Sequence, residues 1–273
     1  MMEVEDLKKS YGDFEAVKGV SFKIEDGEIF SIVGPNGAGK TTTLKCVMGF
    51  LKCSGKVRFK ERELDEITRV REFSFLPEEK RLYPEMKLKD VVKMVENLGD
   101  FDVDFLKRMI DDFSLSLKSK VLELSHGMRT LLYLSIVFSK KASVYILDEP
   151  TWGLDPVMRK KVFDLMNDLV LKGKSIIYTS HVLPEVEKMA DVLAVMKDGR
   201  IRFLERLETI REDYRIAFSR TKPEKGYRYV KRVDAGYLVL AKEEELEDVF
   251  ESVAPADVED VFDVVVGGEE DGV

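Results

Sequence analysis

The sequence predicts an α/β protein built on a parallel β-sheet and followed by a smaller α+β module. Three observations predict this fold class. Short apolar runs, each the length of one buried strand, alternate with segments of helical periodicity. These runs cover residues 28–33, 73–76, 144–147, 175–179 and 192–196. A glycine-rich turn connects the first run to a helix, and near residue 212 the pattern changes to closely spaced strand-like runs.

The elements around this core follow in order. Residues 4–9 and 16–24 alternate apolar and polar side chains, which predicts an N-terminal antiparallel β subdomain. Apolar residues at helical spacing predict the helices, which cover residues 41–48, 88–97, 101–113, 128–139 and 156–170. Three of these form a helical subdomain within about residues 80–140.

We predict a domain of residues 1–212 and an accessory domain of residues 213–273. The accessory domain should contain strands at 214–219, 227–233 and 237–240, then acidic helical stretches near 243–252 and 255–264. The polar end at 267–273 should be frayed. A structural appendage and a regulatory or partner-docking module are both compatible with this pattern.

Charge and composition exclude several classes of protein. The net charge is −8, with −12 in the acidic tail region 242–273 and +4 in residues 1–241, so no nucleic-acid partner is expected. No apolar run approaches the roughly 20 residues that cross a bilayer, so direct membrane insertion is not expected. Cys46 and Cys53 are the only cysteines and lack metal-type spacing, which favours reduced cytosolic thiols.

The glycine-rich turn carries the strongest chemical signal. It matches GxxxxGK[ST] between a buried strand and a helix, the context of a phosphate-binding loop and of a P-loop NTPase. Backbone N–H groups of such a loop contact phosphates, while Lys40 reaches the β/γ oxygens and the Thr41 hydroxyl binds Mg²⁺. The nucleotide-binding residues of this loop are Gly34, Pro35, Asn36, Gly37, Ala38, Gly39, Lys40, Thr41 and Thr42.

A second signal is the pair Asp148 and Glu149 at the end of the apolar run 144–147. Asp148 suits a metal ion, and Glu149 suits the base that activates a water. Since successive strand residues point in opposite directions, one carboxylate should face the metal while the next faces the water.

These motifs, together with the segment Leu124-Ser125-His126-Gly127-Met128, resemble the nucleotide-binding subunit of an ABC transporter. The segment stands where this family has its LSGGQ signature. Asp155 stands in the D-loop pattern, His181 at the switch histidine and Tyr11 at the adenine-stacking aromatic. The resemblance covers residues 2 to about 204 and implies an ABC cassette with a RecA-like parallel core and a helical signature subdomain.

The resemblance also implies a mechanism. Two subunits, in a homodimer or heterodimer, would hold ATP and Mg²⁺ between the P-loop of one and the signature segment of the other. Ser125 and Gly127 would then act in trans, with Asp155 near the nucleotide, and Lys40, Glu149 and His181 would be catalytic. Two plainer alternatives stay open: Ser125 as an ordinary helix N-cap and Tyr11 as a turn aromatic packed on the sheet.

The sequence departs from the family pattern at two places. Glu78 stands where the family has a glutamine that touches Mg²⁺ or the attacking water, so Glu78 is a further candidate metal ligand. His126 and Met128 replace the usual Gly and Gln of the signature. The segments around 76–85 and 258–262 resemble ABC-2-type exporter ATPases.

The resemblance therefore implies an ATPase that powers transport, most simply export, through a separate transmembrane permease, as a peripheral subunit at the cytoplasmic face of the membrane. The alternative is a soluble ABC ATPase without a transporter, such as an assembly-type ATPase. No long coiled-coil insertion separates Lys40 from Ser125, which speaks against the DNA-repair members.

Overall fold

The computed structural model describes residues 1–247 and 249–268. Its strands are β1 (Met2–Tyr11), β2 (Phe14–Ile24), β3 (Ile29–Val33), β4 (Ser54–Phe59), β5 (Arg62–Glu63), β6 (Phe73–Leu76), β7 (Val144–Asp148), β8 (Ser175–Thr179), β9 (Val192–Lys197), β10 (Arg200–Arg206), β11 (Tyr214–Ser219), β12 (Tyr229–Val233), β13 (Gly236–Lys242) and β14 (Ser252–Pro255). Its α-helices are α1 (Lys40–Val47), α2 (Glu66–Glu72), α3 (Leu88–Glu96), α4 (Val103–Asp112), α5 (His126–Ser139), α6 (Pro156–Leu171), α7 (Leu183–Met189), α8 (Leu207–Asp213) and α9 (Val258–Gly267).

The central sheet has the order β10-β9-β3-β8-β7-β6. All its neighbouring strands are parallel except β10, which pairs antiparallel with β9. Strands β3, β7 and β8 are buried along their whole length because helices and a second sheet cover both faces. The predicted α/β fold with a parallel core is confirmed.

The topology brings the chemical motifs together. Strands β3, β6, β7 and β8 run in the same direction, so the loops that follow them lie along one edge of the sheet. These loops contain the phosphate-binding turn, Glu78, Glu149 and His181. The candidate site therefore follows from the sheet topology.

The N-terminal strands form a separate antiparallel sheet of order β2-β1-β4-β5, as predicted. Two apolar layers result, because alternate residues of β3 face opposite sides. Phe30 and Ile32 pack with this N-terminal sheet and α1, whereas Ile29 and Val33 pack with the layer that contains the helical segment α3 to α5. No helix in the described part of the chain combines the length and apolar character needed to cross a membrane.

The C-terminal strands form a third, antiparallel sheet of order β12-β13-β11-β14. Helix α9 covers this sheet and also contacts α7 and β9 of the central layer. Valines 258, 261, 264 and 265 of α9 are buried in the same apolar cluster as Phe203 and Ile210. The C-terminal module therefore shares a continuous core with the rest of the chain.

The helical stretch predicted near residues 243–252 is wrong. The described residues of this stretch form only a short 3-10 turn at Glu243–Glu245, and Ser252–Pro255 is strand β14, which pairs with β11. The glutamates favour helix only weakly, and residues 243–245, 247, 249 and 251 are exposed, so little apolar burial supports a helix in this stretch. The predicted frayed end begins at Gly267, which still belongs to α9, and from residue 269 onward it lies outside the described residues.

The expectation that both cysteines are reduced thiols is also wrong for this structure. Cys46 and Cys53 form a disulfide with their Cα atoms 5.9 Å apart. The chain leaves α1 and turns back at Gly49, which brings two cysteines seven residues apart into bonding range. The spacing of the two cysteines in the sequence does not by itself predict that the chain turns back here.

Candidate functional site

The turn between β3 and α1 ends at Gly39, which precedes the helix with no side-chain cap. The first N–H groups of a helix have no partner within it, and the helix dipole adds positive potential at the same point. The loop can therefore bind an anion through its backbone.

Glycine is required at position 39 for two reasons. Its backbone has φ near 100°, a left-handed conformation that side chains disfavour, and a Cβ there would lie 2.4 Å from the Ala16 carbonyl oxygen. The loop is thus held tightly against the N-terminal sheet.

Lys40 is the first residue of α1 and is 9% exposed. Its Nζ donates hydrogen bonds to the carbonyl oxygens of Gly34 at 2.6 Å and Pro35 at 3.2 Å. Burial lowers the pKa of Lys40, while the carboxylates of Glu149, Asp148 and Glu78 oppose that shift. The site thus places a buried cation among three carboxylates.

Asp148, the last residue of β7, is 1% exposed. Its Oδ1 accepts a 2.6 Å hydrogen bond from the Thr179 hydroxyl, whereas the buried Oδ2 has no hydrogen-bond partner among the described residues. An unsatisfied buried carboxylate oxygen is costly unless a cation binds it. The donor set of Asp148, the Thr41 hydroxyl and Glu78 is all oxygen, which fits Mg²⁺.

The described residues contain no group of three or more His, Cys, Asp or Glu side chains that could hold a metal ion by themselves. Proteins often bind Mg²⁺ through one or two carboxylates together with phosphate oxygens and water. The arrangement here therefore suits an ion that arrives with a phosphate ligand.

Glu149 lies just beyond β7 with a φ of 49°, so the expectation that it alternates with Asp148 along a strand is wrong. A left-handed backbone at Glu149, and not strand alternation, sets the position of its side chain relative to Asp148. The Glu149 N–H donates to the Thr179 hydroxyl at 3.0 Å, which stabilises this strained backbone.

His181 follows β8 and pairs with Glu149, its Nδ1 lying 2.8 Å from Oε2. Because an ionised carboxylate only accepts hydrogen bonds, Nδ1 carries the proton in this pair. Burial raises the pKa of Glu149, and the charges of His181 and Lys40 oppose that shift. A buried, oriented carboxylate of this kind suits a general base.

These groups border a cleft of about 410 Å³. Its lining consists of residues 36–42 together with Tyr11, Phe14, Ala16, Glu78, Asp148 and Glu149. The structure therefore brings together most of the predicted site residues. Gly34 and Pro35 lie behind the cleft as acceptors for Lys40, and His181 joins it through Glu149.

The aromatic wall of the cleft contains one residue that sequence reasoning missed. Tyr11 and Phe14 are cross-strand partners on either side of the β1–β2 turn, and they are 50% and 64% exposed. Lys9 Nζ lies 5.0 Å from the Tyr11 ring centroid. A two-residue turn at Gly12-Asp13 in the sequence could have identified Phe14 as the partner of Tyr11.

Lys80 is a second residue that the sequence did not single out. It is 9% exposed, and its Nζ donates to the Glu78 carbonyl oxygen at 3.2 Å. Burial lowers the pKa of Lys80, while Asp148, Glu78 and Glu149 oppose that shift. Glu78, which stands where the family has a glutamine, is therefore accompanied by a buried cation two residues later in the sequence.

The signature segment lies outside this cleft. Ser125 caps α5, its hydroxyl accepting a 3.2 Å hydrogen bond from the Met128 N–H, so the plain N-cap alternative describes its contact within the chain. A Cβ on Gly127 would lie 2.8 Å from the Gly153 carbonyl oxygen, so the signature packs closely on the D-loop. His126 makes an edge contact with Trp152, their ring centroids 4.8 Å apart.

Side-chain hydrogen bonds hold the predicted D-loop, and the one between Thr151 and Glu185 is buried. Asp155 caps α6 by accepting from the Val157 and Met158 N–H groups. Glu185 of α7, 9% exposed, accepts from the Thr151 hydroxyl at 2.8 Å and from Arg159 at 3.0 Å. This network connects the D-loop to the helix that follows His181, and nothing in the sequence identified Glu185.

Comparisons with known proteins agree with this geometry. The family described as "ABC transporter" matches residues 17–152. An uncharacterized ABC transporter ATP-binding protein of Methanocaldococcus jannaschii is 30% identical over 96% of this chain and 97% of its own length. The Nod factor export ATP-binding protein I of Paraburkholderia xenovorans is 32% identical over 73% of this chain and 68% of its own.

A solved ATP-binding subunit of an ABC transporter superposes with a TM-score of 0.71 at 28% identity, covering 77% of this chain and 92% of its own. The nearly full-length match with the archaeal protein extends beyond the cassette into the C-terminal module. This chain belongs to the family of ABC transporter ATP-binding proteins.

Proposed function

We propose that this chain hydrolyses ATP as one half of an ATP-sandwich dimer and powers export through a separate transmembrane permease. The observation that carries the proposal is the convergence of Lys40, Asp148 and Glu149 on one cleft at the carboxyl edge of the sheet. In this proposal the chain divides into a cassette of residues 1–212, whose helical subdomain covers about 80–140, and an accessory domain of residues 213–273.

In the proposed reaction each residue has a separate role. The backbone of residues 36–42 and the Lys40 ammonium bind the phosphates, and Tyr11 stacks on the adenine. Asp148, Thr41 and Glu78 would hold Mg²⁺, which supplies neutralisation of phosphate charge when bound. Glu149 accepts the proton of the attacking water, and His181 holds its carboxylate in place.

The dimer supplies the remaining parts. Ser125 and Gly127 lie at the N-terminus of α5, outside the cleft of their own chain, which supports a role toward the nucleotide of a facing subunit. Asp155 would contact the nucleotide region from the D-loop. The partner subunit is either a second copy or a related ATPase.

Exposed apolar side chains support a docking surface for the permease. Ile67 and Val70 on α2 are 73% and 69% exposed, and Tyr83 after the Glu78 segment is 70% exposed. We propose that these three side chains, which precede and follow β6 in the sequence, contact the permease. We place the subunit at the cytoplasmic face of the membrane through this contact.

A pull-down from native cells tests the proposal against the alternative of a non-transport ABC ATPase. The tagged chain is recovered from detergent-solubilised membranes and from the soluble fraction, and its partners are identified. A stoichiometric multi-span protein is the expected result. Partners found only in the soluble fraction would contradict the transporter role and favour an assembly-type ATPase.

Lys80 and Glu78 provide a further test of the site. We expect Lys80→Met to weaken ATP binding about tenfold, because the three carboxylates of the cleft lose one of two neighbouring cations. Glu78→Gln in the same chain should restore most of the affinity, since it removes one negative charge. The measurement is a double-mutant cycle of ATP affinity by titration calorimetry.

The matched control is Lys89→Met, which removes an exposed lysine nearby. Strictly additive effects of the Lys80 and Glu78 changes would show that the two charges do not act together.

A further inference from the structure

A second and larger cleft lies between the edge strand β10 and the C-terminal sheet. It has a volume of about 730 Å³, within the range of small-molecule sites. One wall is β10, from Arg200 to Glu205, and the other comes from residues 225–229 and the end of β13. We call it the basic cleft.

Its charge is opposite to that of the whole protein. Among the described lining residues, five side chains are basic, those of Arg200, Arg202, Lys225, Arg228 and Lys242, and two are carboxylates, those of Glu205 and Glu245. Arg202 already has an interaction partner within the protein. Basic side chains therefore outnumber acidic ones among the described lining residues, although the whole chain has a net charge of −8. Like charges gathered from several elements repel each other unless an anion lies between them.

Three of these cations lie over tyrosine rings. Lys225 is 5.2 Å from the Tyr227 centroid, Arg228 is 5.1 Å from Tyr229, and Lys242 is 5.9 Å from Tyr214. Arg228 and Lys242 form no ion pair with a carboxylate in the described part of the chain. Contacts with rings orient a cation while leaving N–H donors available to a ligand. Lys225 Nζ also donates one hydrogen bond to the Glu245 carbonyl oxygen.

The floor of the cleft is aromatic. Phe203 makes edge contacts with both Tyr214 and Tyr229, at centroid distances of 5.4 and 5.6 Å. Burial, with smaller contributions from neighbouring groups, raises the pKa of Tyr214 to about 12, so its hydroxyl stays a neutral donor at physiological pH. A planar guanidinium beside such donors matches the geometry of phosphate oxygens.

We propose that the basic cleft binds a small phosphate-bearing anion at the junction of the cassette and the C-terminal module. The cations on its two walls come from different sheets, so a bound anion would connect β10 of the central sheet with the C-terminal strands. The basic cleft shares no lining residue with the cleft beside the phosphate-binding loop. The inference is therefore independent of the proposed function.

Titration calorimetry on the full chain tests the inference. Lys40→Ala serves as the background because it weakens phosphate binding at the P-loop. The probes are sodium tripolyphosphate and ATP, both without Mg²⁺. We expect one binding event per chain, weakened at least about tenfold by adding Arg228→Gln and Lys242→Gln. A second pair, Arg200→Gln with Lys225→Gln, should have the same effect, and thermal melting checks that each variant is folded.

The matched control adds Lys160→Gln and Lys172→Gln, which remove two exposed cations of α6 and its C-terminal end and should leave binding unchanged. Tighter binding of ATP than of tripolyphosphate supports a nucleotide ligand, and equal binding supports recognition of the phosphates alone. Absence of binding by both probes, or full binding by both variant pairs, would overturn the proposal.

Discussion

Replacing Glu149 with glutamine should lower the turnover of ATP by at least about a hundredfold while ATP binding is retained. The amide has nearly the shape of the carboxylate, so it can occupy the same place 2.8 Å from His181 Nδ1. It cannot take a proton from water at neutral pH. The effect should therefore appear in kcat, with little change in KM.

This outcome follows from the burial of Glu149 and from its contact with His181. Burial raises the pKa of its carboxyl, which makes the group a stronger base once ionised, and His181 fixes its direction. Steady-state phosphate release and ATP affinity are the two measurements. Because hydrolysis would stop while ATP stays bound, the variant should also accumulate as a dimer on size-exclusion chromatography with ATP.

Glu79→Gln is the matched control for this prediction. This substitution is chemically the same as Glu149→Gln, but Glu79 is exposed and pairs with Arg81 outside the cleft. It should hydrolyse ATP at the wild-type rate. Turnover near the wild-type rate in Glu149→Gln would remove Glu149 as the base.

Local sequence patterns predicted the elements that carry the chemistry. The phosphate loop, Asp148 and His181 each follow an apolar run that forms a parallel strand, and parallel strands place their carboxyl ends together. One motif and one topological rule were sufficient for the phosphate loop and Asp148, whereas His181 was singled out through the family resemblance.

The residues that the sequence missed depend on contacts between distant segments. Lys80 is distinctive only because the fold buries it beside Asp148, 68 positions away in the sequence. Glu185 was missed because its partners Thr151 and Arg159 lie 34 and 26 positions away in the sequence. Strand β14 was not predicted because it forms by pairing with β11, a strand that is distant in the sequence.

The second large effect concerns the shared site of the proposed dimer. Lys40→Ala should abolish ATP hydrolysis, because it removes the ammonium that neutralises phosphate charge. Ser125→Arg should also abolish it, because a long cation would occupy the end of α5 where the facing nucleotide must approach. Each homodimer then has two defective composite sites.

A mixture of the two variants should recover activity. In a head-to-tail dimer, each site combines the P-loop of one subunit with the signature segment of the other. A mixed dimer has one site with both defects and one with neither. If subunits pair at random and sites act independently, an equal mixture should reach about a quarter of wild-type activity.

Ser125 also caps α5, so its replacement could act through folding; loss of such a cap costs about 1 kcal/mol. Ser125→Thr keeps a hydroxyl cap without the bulk of arginine and should retain most of the activity, and thermal melting of all variants separates stability from chemistry. Full activity of Ser125→Arg alone would contradict the shared site. An inactive mixture of two folded, dimerising variants would contradict it as well, because the undamaged P-loop and the undamaged signature would then meet without forming a working site.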